Sequence, residues 1–125
     1  MTVPILKQGD ILIASIQVAL TDRDLIDLKD ELTTKVGRFR SRGVIIDVSA
    51  LDVMDSFAAR TLRNVAEAIR LRGARMVIVG IQPDVAFSMV QLGLGVGEIS
   101  TALDLDGGLE MLAAFGLVAG DADER

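Results

Sequence analysis

Val44-Ile-Ile-Asp-Val-Ser-Ala-Leu-Asp-Val-Met-Asp-Ser-Phe-Ala-Ala-Arg60 is the stretch on which the reading of this chain turns. With Gly43 before it, the first part is a short β-branched run bounded by glycine and aspartate, the composition of a buried central strand. From Asp55-Ser56 onward, Phe57, Ala58, Leu62, Val65, Ala66 and Ile69 recur on one apolar face, so a helix starts there and ends near Gly73. Arg75 to Val79, closing at Gly80, repeats the character of the first run. Strand, helix and strand in this order predict a right-handed parallel crossover.

Upstream, Ile5-Leu6 and the run Ile11 to Val18 flank Gln8-Gly9-Asp10, a turn signal that predicts a hairpin. Thr21 or Asp22 then caps a helix through Val36, in which Leu25, Leu28, Leu32 and Val36 form the apolar stripe and Asp24, Asp27, Lys29 and Glu31 face elsewhere. Downstream, Pro83 suits a first helical turn. Val85, Ala86, Met89, Val90 and Leu92 give that helix an apolar stripe that stops at Gly93. Ile99 to Ala102 predicts a last edge strand, and Leu109, Met111, Leu112 and Phe115 a C-terminal helix after an Asp104 to Gly108 turn. The order β-β-α-β-α-β-α-β-α describes an α/β domain, a small mixed β-sheet covered by about four helices.

Composition narrows the chemistry. The 125 residues are the size of one domain. Half are apolar but only Phe39, Phe57, Phe87 and Phe115 are aromatic, so the core is aliphatic. The absence of cysteine excludes disulfides, thiolate zinc sites and a cysteine nucleophile, and suits a reducing cytoplasm. His, Tyr and Trp are absent too, so a Ser-His pair or an HExxH zinc site cannot be built from this chain. A net charge of −5 argues against nucleic acid as a partner, although a local basic patch is compatible with it. The strongly apolar stretch Ile11 to Leu20 is interrupted by Ser15 and Gln17 and is shorter than the roughly 20 residues of a spanning helix. The N-terminus lacks the pattern of a signal peptide. The expectation is a cytoplasmic protein with no membrane contact and no cofactor.

Three constellations remain. Asp47, Asp52 and Asp55 cluster around a strand end, where a metal-dependent or acid/base role competes with turn and cap roles, the latter being the simpler expectation. Gly93-Leu-Gly-Val-Gly97 looks like a nucleotide turn, but it follows a helix rather than a strand, and a C-cap with a connection explains it more simply. Ser56 opens a helix and on the bland reading satisfies an orphan amide for about 1 kcal/mol. Its third successor is Ala59, so no reciprocal capping box forms there, and the cap argument alone does not decide its role.

Asp-Val-Met-Asp-Ser-Phe57 after a Val-Ile-Ile-Asp47 strand resembles the phosphoacceptor motif of STAS domains, the fold of bacterial anti-anti-sigma factors. Pro4-Ile-Leu-Lys7, Ser15-Ile-Gln17, Gly80-Ile-Gln-Pro83 with Val85-Ala86, and Thr101-Ala-Leu-Asp-Leu105 with Gly108-Leu109 extend the resemblance to stressosome antagonists of the RsbS type. It runs from Val3 to about Leu117. The expected layout is a STAS domain over 1–118 and an acidic, disordered tail over 119–125.

The resemblance implies that Ser56 is phosphorylated by an RsbT-like switch serine kinase, which the chain sequesters until then, and that a phosphatase resets phospho-Ser56. Asp55 and Phe57 stand where the family pattern has them, and Ser49 falls in a loop the family does not use as acceptor and is read as structural. With Asp52 beside the acceptor and Arg60 and Arg63 in the first two turns after it, Asp55 and Phe57 make up the candidate partner-binding residues. Implied partners also include RsbR-like sensor co-antagonists with an added N-terminal domain, for which this chain has no room, in a homo-oligomer or a large hetero-oligomeric stressosome. On the helix beginning at Ser56, Arg60, Arg63, Glu67 and Arg70 share a polar stripe. That stripe is either a solvated face or a steering surface for an acidic kinase. The competing functions are a direct anti-anti-sigma factor that binds an anti-sigma kinase, the aspartate-based enzyme, and a ligand-binding module with an apolar pocket.

Overall fold

The structure, a computed structural model, describes residues 3–93 and 99–115, and the statements below concern those residues. The β-branched runs form the centre of a five-stranded sheet in the order β1-β2-β3-β4-β5. Its strands are β1 (Ile5–Gln8), β2 (Ile11–Ser15), β3 (Gly43–Asp47), β4 (Arg75–Val79) and β5 (Ser100–Ala102). β1 and β2 make the expected antiparallel hairpin around Gly9, and all other pairs are parallel, with Ile11, Gly43 and Arg75 in register at one end. The mixed-sheet α/β reading therefore holds.

Side chains alternate across the central strands, as the period of two requires. Val44, Ile46, Met76 and Ile78 face the larger core, and Ile45, Val77 and Val79 face a smaller one on the opposite side. α1 (Asp22–Phe39) covers the first face with Leu25, Leu28, Leu32 and Val36, all buried as their spacing predicts. Thr21 is its cap: Thr21 Oγ1 accepts from the Asp24 amide at 3.1 Å, and Asp24 Oδ2 accepts from the Thr21 amide at 3.2 Å. α2 (Ser56–Leu71) lies beside it, burying Ala59, Leu62, Val65 and Ile69. Each large aliphatic side chain so buried contributes roughly 1.5–3 kcal/mol to folding.

Two helices differ from the expectation. In α3 (Pro83–Gln91) Val85 and Met89 are buried, but Ala86, Val90 and Leu92 are exposed. Only the strip one turn apart reaches the core, so the stripe read from the sequence is too wide. α4 (Leu105–Ala114) packs alone on the opposite face, placing Leu112 against Ile11, Ile45, Val77 and Val79. It begins earlier than expected, because Asp104 caps the Gly107 amide at 2.9 Å and draws Gly107 and Gly108 out of the supposed turn into the helix. At Gly108 the helix approaches β4 so closely that a Cβ would lie 2.7 Å from Val79 Cγ1.

Residues 94–97 of the glycine-rich stretch and the 119–125 tail fall outside the described residues. Among the described residues, no helix is long and apolar enough to cross a membrane.

Candidate functional site

β3 delivers the chain into an eight-residue loop, Val48 to Asp55, that is pinned at both ends. At the strand end, the Val48 amide donates to the Val79 carbonyl at 3.0 Å, continuing the ladder. Asp47 Oδ1 accepts from both the amide (2.9 Å) and the hydroxyl (2.7 Å) of Ser49. The Ser49 carbonyl in turn accepts from Gln82 Nε2 at 2.7 Å. Gly80, with φ of +79°, permits the close approach of the next loop, since a Cβ there would meet Ser49 Cβ at 2.8 Å. Ser49 is thus a structural residue, as expected. The sequence marks Gly80 only as a strand stop and gives no sign that Gln82 clamps Ser49, because their pairing depends on two neighbouring strands.

At the helix end, Leu51 and Met54 turn inward and are buried, while Asp52 and Val53 between them are exposed. The cap of α2 is Asp55: its Oδ1 accepts from the Ala58 amide at 2.8 Å. Ser56 is therefore the first helical residue and not the cap, a correction to the bland reading of its hydroxyl. The carboxylate takes the Ala58 amide because Asp55, and not Ser56, has the extended backbone (φ −83°, ψ 175°) a cap requires. Ser56 itself is half-buried at the surface, and among the described residues its hydroxyl has no hydrogen-bond partner. The Ser56 and Phe57 amides, at the positive end of the helix dipole, lie beside it.

The remaining candidate residues surround this point unequally. Asp52, Asp55 and Arg60 are exposed, whereas Phe57 and Arg63 are half-buried. Glu67 and Arg70 of the same polar stripe pair with each other at 2.8 Å. Asp47 and Asp55 are committed to the Ser49 turn and to the helix cap, and among the described residues no three carboxylates converge as a metal site would need. The turn-and-cap reading of these aspartates is the one the geometry supports.

Beside the loop lies an apolar hollow of about 180 Å³ between the β2–α1 connection and α2. Its lining includes Ile16, Leu20, Leu25, Met54, Ala58 and Leu62. Sequence periodicity assigns most of these to the core, and only the loop geometry leaves their edges open next to Asp55, the residue before Ser56.

Known proteins share this fold. The STAS domain family matches residues 2–105. A serine-to-glutamate variant of RsbS from Moorella thermoacetica superimposes with a TM-score of 0.81 at 35% identity, covering 91% of this chain and 97% of that one. A chain from a structure of the stressosome, described as a signal integration and transduction hub, gives 0.76 at 36%, covering 90% and 98%. In sequence, the RsbT co-antagonist RsbRA of Bacillus subtilis is 31% identical over 83 residues, 66% of this chain. The aligned part is 30% of RsbRA, so the chain spans under a third of that relative. Bacterial SpoIIAA, at 14% identity and a TM-score of 0.71, shares the fold. With the match extending over most of its length, from the hairpin to the start of α4, the chain belongs to the STAS domain family.

Proposed function

We propose that this chain is a stressosome-type scaffold and antagonist that sequesters an RsbT-like serine kinase and releases it when Ser56 is phosphorylated. The observation that carries the reading is the division of labour at the start of α2: Asp55 performs the capping, so the Ser56 hydroxyl is spare and lies at the surface. Similarity to RsbS at 35% identity over 91% of this chain, and to a stressosome chain at 36% over 90%, supports this reading over a direct anti-anti-sigma factor, since the likeness to SpoIIAA reaches only 14%.

In the reaction, Ser56 Oγ gives up its proton to a carboxylate base of the kinase and attacks the γ-phosphorus of ATP; the bond to the β-phosphate oxygen breaks and ADP leaves. The product carries roughly −1.5 to −2 charge. Its own helix tolerates that charge, because the Ser56 and Phe57 amides and the helix dipole face it. A partner does not, because the dianion is added to a surface that already displays Asp52 and Asp55. A kinase seated on Asp52, Asp55, Phe57, Arg60 and Arg63, with an apolar side chain in the adjoining hollow, loses a few kcal/mol of affinity when that contact must accommodate a hydrated phosphate. A phosphatase then restores the hydroxyl. The outward apolar residues Phe87 and Val90 on α3, 70% and 64% exposed, support assembly with RsbR-like co-antagonists or further copies.

The test is incubation with an RsbT-type kinase and labelled ATP. Wild-type protein takes up label and then elutes apart from the kinase, while Ser56→Ala takes up none and stays bound. Label persisting in Ser56→Ala would overturn the assignment.

A further inference from the structure

α3 starts unlike α1, α2 and α4. Thr21, Asp55 and Asp104 each turn a side-chain oxygen onto an amide of the helix that follows, whereas Gln82, in the same position before α3, makes no such bond. Its side chain instead crosses to the loop after β3, where Nε2 donates to the Ser49 carbonyl at 2.7 Å. The amide nitrogen is the atom that faces this carbonyl, because a carbonyl only accepts. Among the described residues, this is the side-chain hydrogen bond that joins the loop Val48 to Asp55 to a part of the chain distant in sequence. The donor is also held from behind. Gly80 turns the backbone with φ of +79°, and Pro83 restricts Gln82 to the extended conformation it has, φ −71° and ψ 154°. Between them, Ile81 packs against the larger core.

The sheet does not need this bond. The ends of β3 and β4 are already joined by the Val48 amide on the Val79 carbonyl at 3.0 Å, and β4 is joined to β5 by the Gly80 amide on the Ala102 carbonyl at 3.3 Å. Ser49 is exposed, so a hydrogen bond to its carbonyl replaces one to water and adds little to folding. What the bond fixes is the path of the chain leaving β3. Ser49 is gripped on two sides, its amide and hydroxyl by Asp47 Oδ1 and its carbonyl by Gln82. From there residues 50–54 lead to the cap Asp55. Leu51 and Met54 anchor that stretch by apolar burial, which is non-directional. Asp52 and Val53 between them are exposed, and among the described residues neither makes a hydrogen bond to the protein. The directional restraint on this stretch therefore enters at its first end, through Ser49.

We propose that Gln82 is a positioning residue for the phosphorylation of Ser56: its bond to Ser49 holds the stretch Ala50 to Val53 in the pose on which the kinase seats. The docking part rests on the function proposed above; the pin itself does not. Without the donor, the Ser49 carbonyl turns to water and the exposed stretch samples several backbone states. Each residue so freed has to be ordered again on docking, and one such residue is worth about tenfold in affinity. The penalty falls on association. Ser56 is carried by α2 and its Asp55 cap, which the loss of Gln82 leaves in place, so the step after docking keeps its rate.

Gln82→Met removes the donor at nearly the same length, and circular dichroism checks that it folds. Asp104→Ala, which takes away the cap of α4, controls for a general loss of stability. With an RsbT-type kinase and ATP, Gln82→Met should raise KM about three- to tenfold and leave kcat within about twofold, while Asp104→Ala moves neither. Nitrogen-15 relaxation reads the loop without any kinase. The amide order parameters of Ala50, Asp52 and Val53 should fall from about 0.85, the value of rigid backbone, to about 0.6 or below in Gln82→Met. Gln82→Lys, whose ammonium donates over at least the same reach, should return them to the wild-type value. An unchanged KM, a loss confined to kcat, an equal rise of KM in Asp104→Ala, or order parameters indifferent to Gln82→Met would each overturn the proposal. Wild type that takes up no phosphate, with loop order still dependent on Gln82, would refute the function proposed above and the docking role with it, while the pin itself stands.

Discussion

α2 and α4 begin in the same way and are used differently. Each is capped by an aspartate that accepts from the third helical amide, Asp55 from Ala58 at 2.8 Å and Asp104 from Gly107 at 2.9 Å. Their first helical residues are Ser56 and Leu105. At α4 that position holds an exposed leucine, so the geometry of such a start makes no demand for a hydroxyl. The comparison teaches that Ser56 is surplus to the local structure, and a surplus hydroxyl at the surface needs a reason outside the domain. The two helices also face opposite sides of the sheet, α2 joining α1 over the larger core and α4, among the described residues, standing alone over the smaller one.

The most forceful way to break the comparison is to lift α4 from the sheet. Gly108→Val puts branched atoms where even a Cβ lies 2.7 Å from Val79 Cγ1, on a strand residue too stiff and too buried to yield. Urea unfolding should record a loss of about 1–3 kcal/mol. If stability were unchanged, the close seat of α4 would be wrong.

Removing the caps gives the next effect and sharpens the parallel. Asp55→Ala and Asp104→Ala should each cost about 1 kcal/mol, read as similar shifts in denaturation midpoint at unchanged slope. Markedly unequal losses would mean that the two starts are not equivalent.

Ser56→Ala should have the smallest effect, within about 0.5 kcal/mol of wild type. A loss as large as that of Asp55→Ala would return the hydroxyl to a capping role and remove the argument that it is spare.

Legibility in the sequence followed the range of the forces involved. β3 and β4 were readable to the residue because their apolar runs are bounded by Gly43, Asp47 and Gly80. The buried face of α1 was readable because Leu25, Leu28, Leu32 and Val36 keep strict helical spacing. The width of the α3 stripe was not, since Val90 and Leu92 are as apolar as Val85 and only contact with the sheet separates them. The start of α4 was hidden by two glycines that suggest a turn but serve a tight approach. At the candidate site, Ser56 was singled out from its surroundings in sequence. That Asp55 supplies the cap depended on the loop path set by buried Leu51 and Met54.

The sequence by itself determined the elements, their order and the chemistry available to them, because periodicity, turn residues and the absence of His and Cys are local or compositional facts. Tertiary structure alone decided which aspartates became caps and where an apolar hollow opened beside the start of α2. The reason is that parallel pairing gathers residues from distant loops at one end of the sheet, and no spacing along the chain encodes which loops will meet.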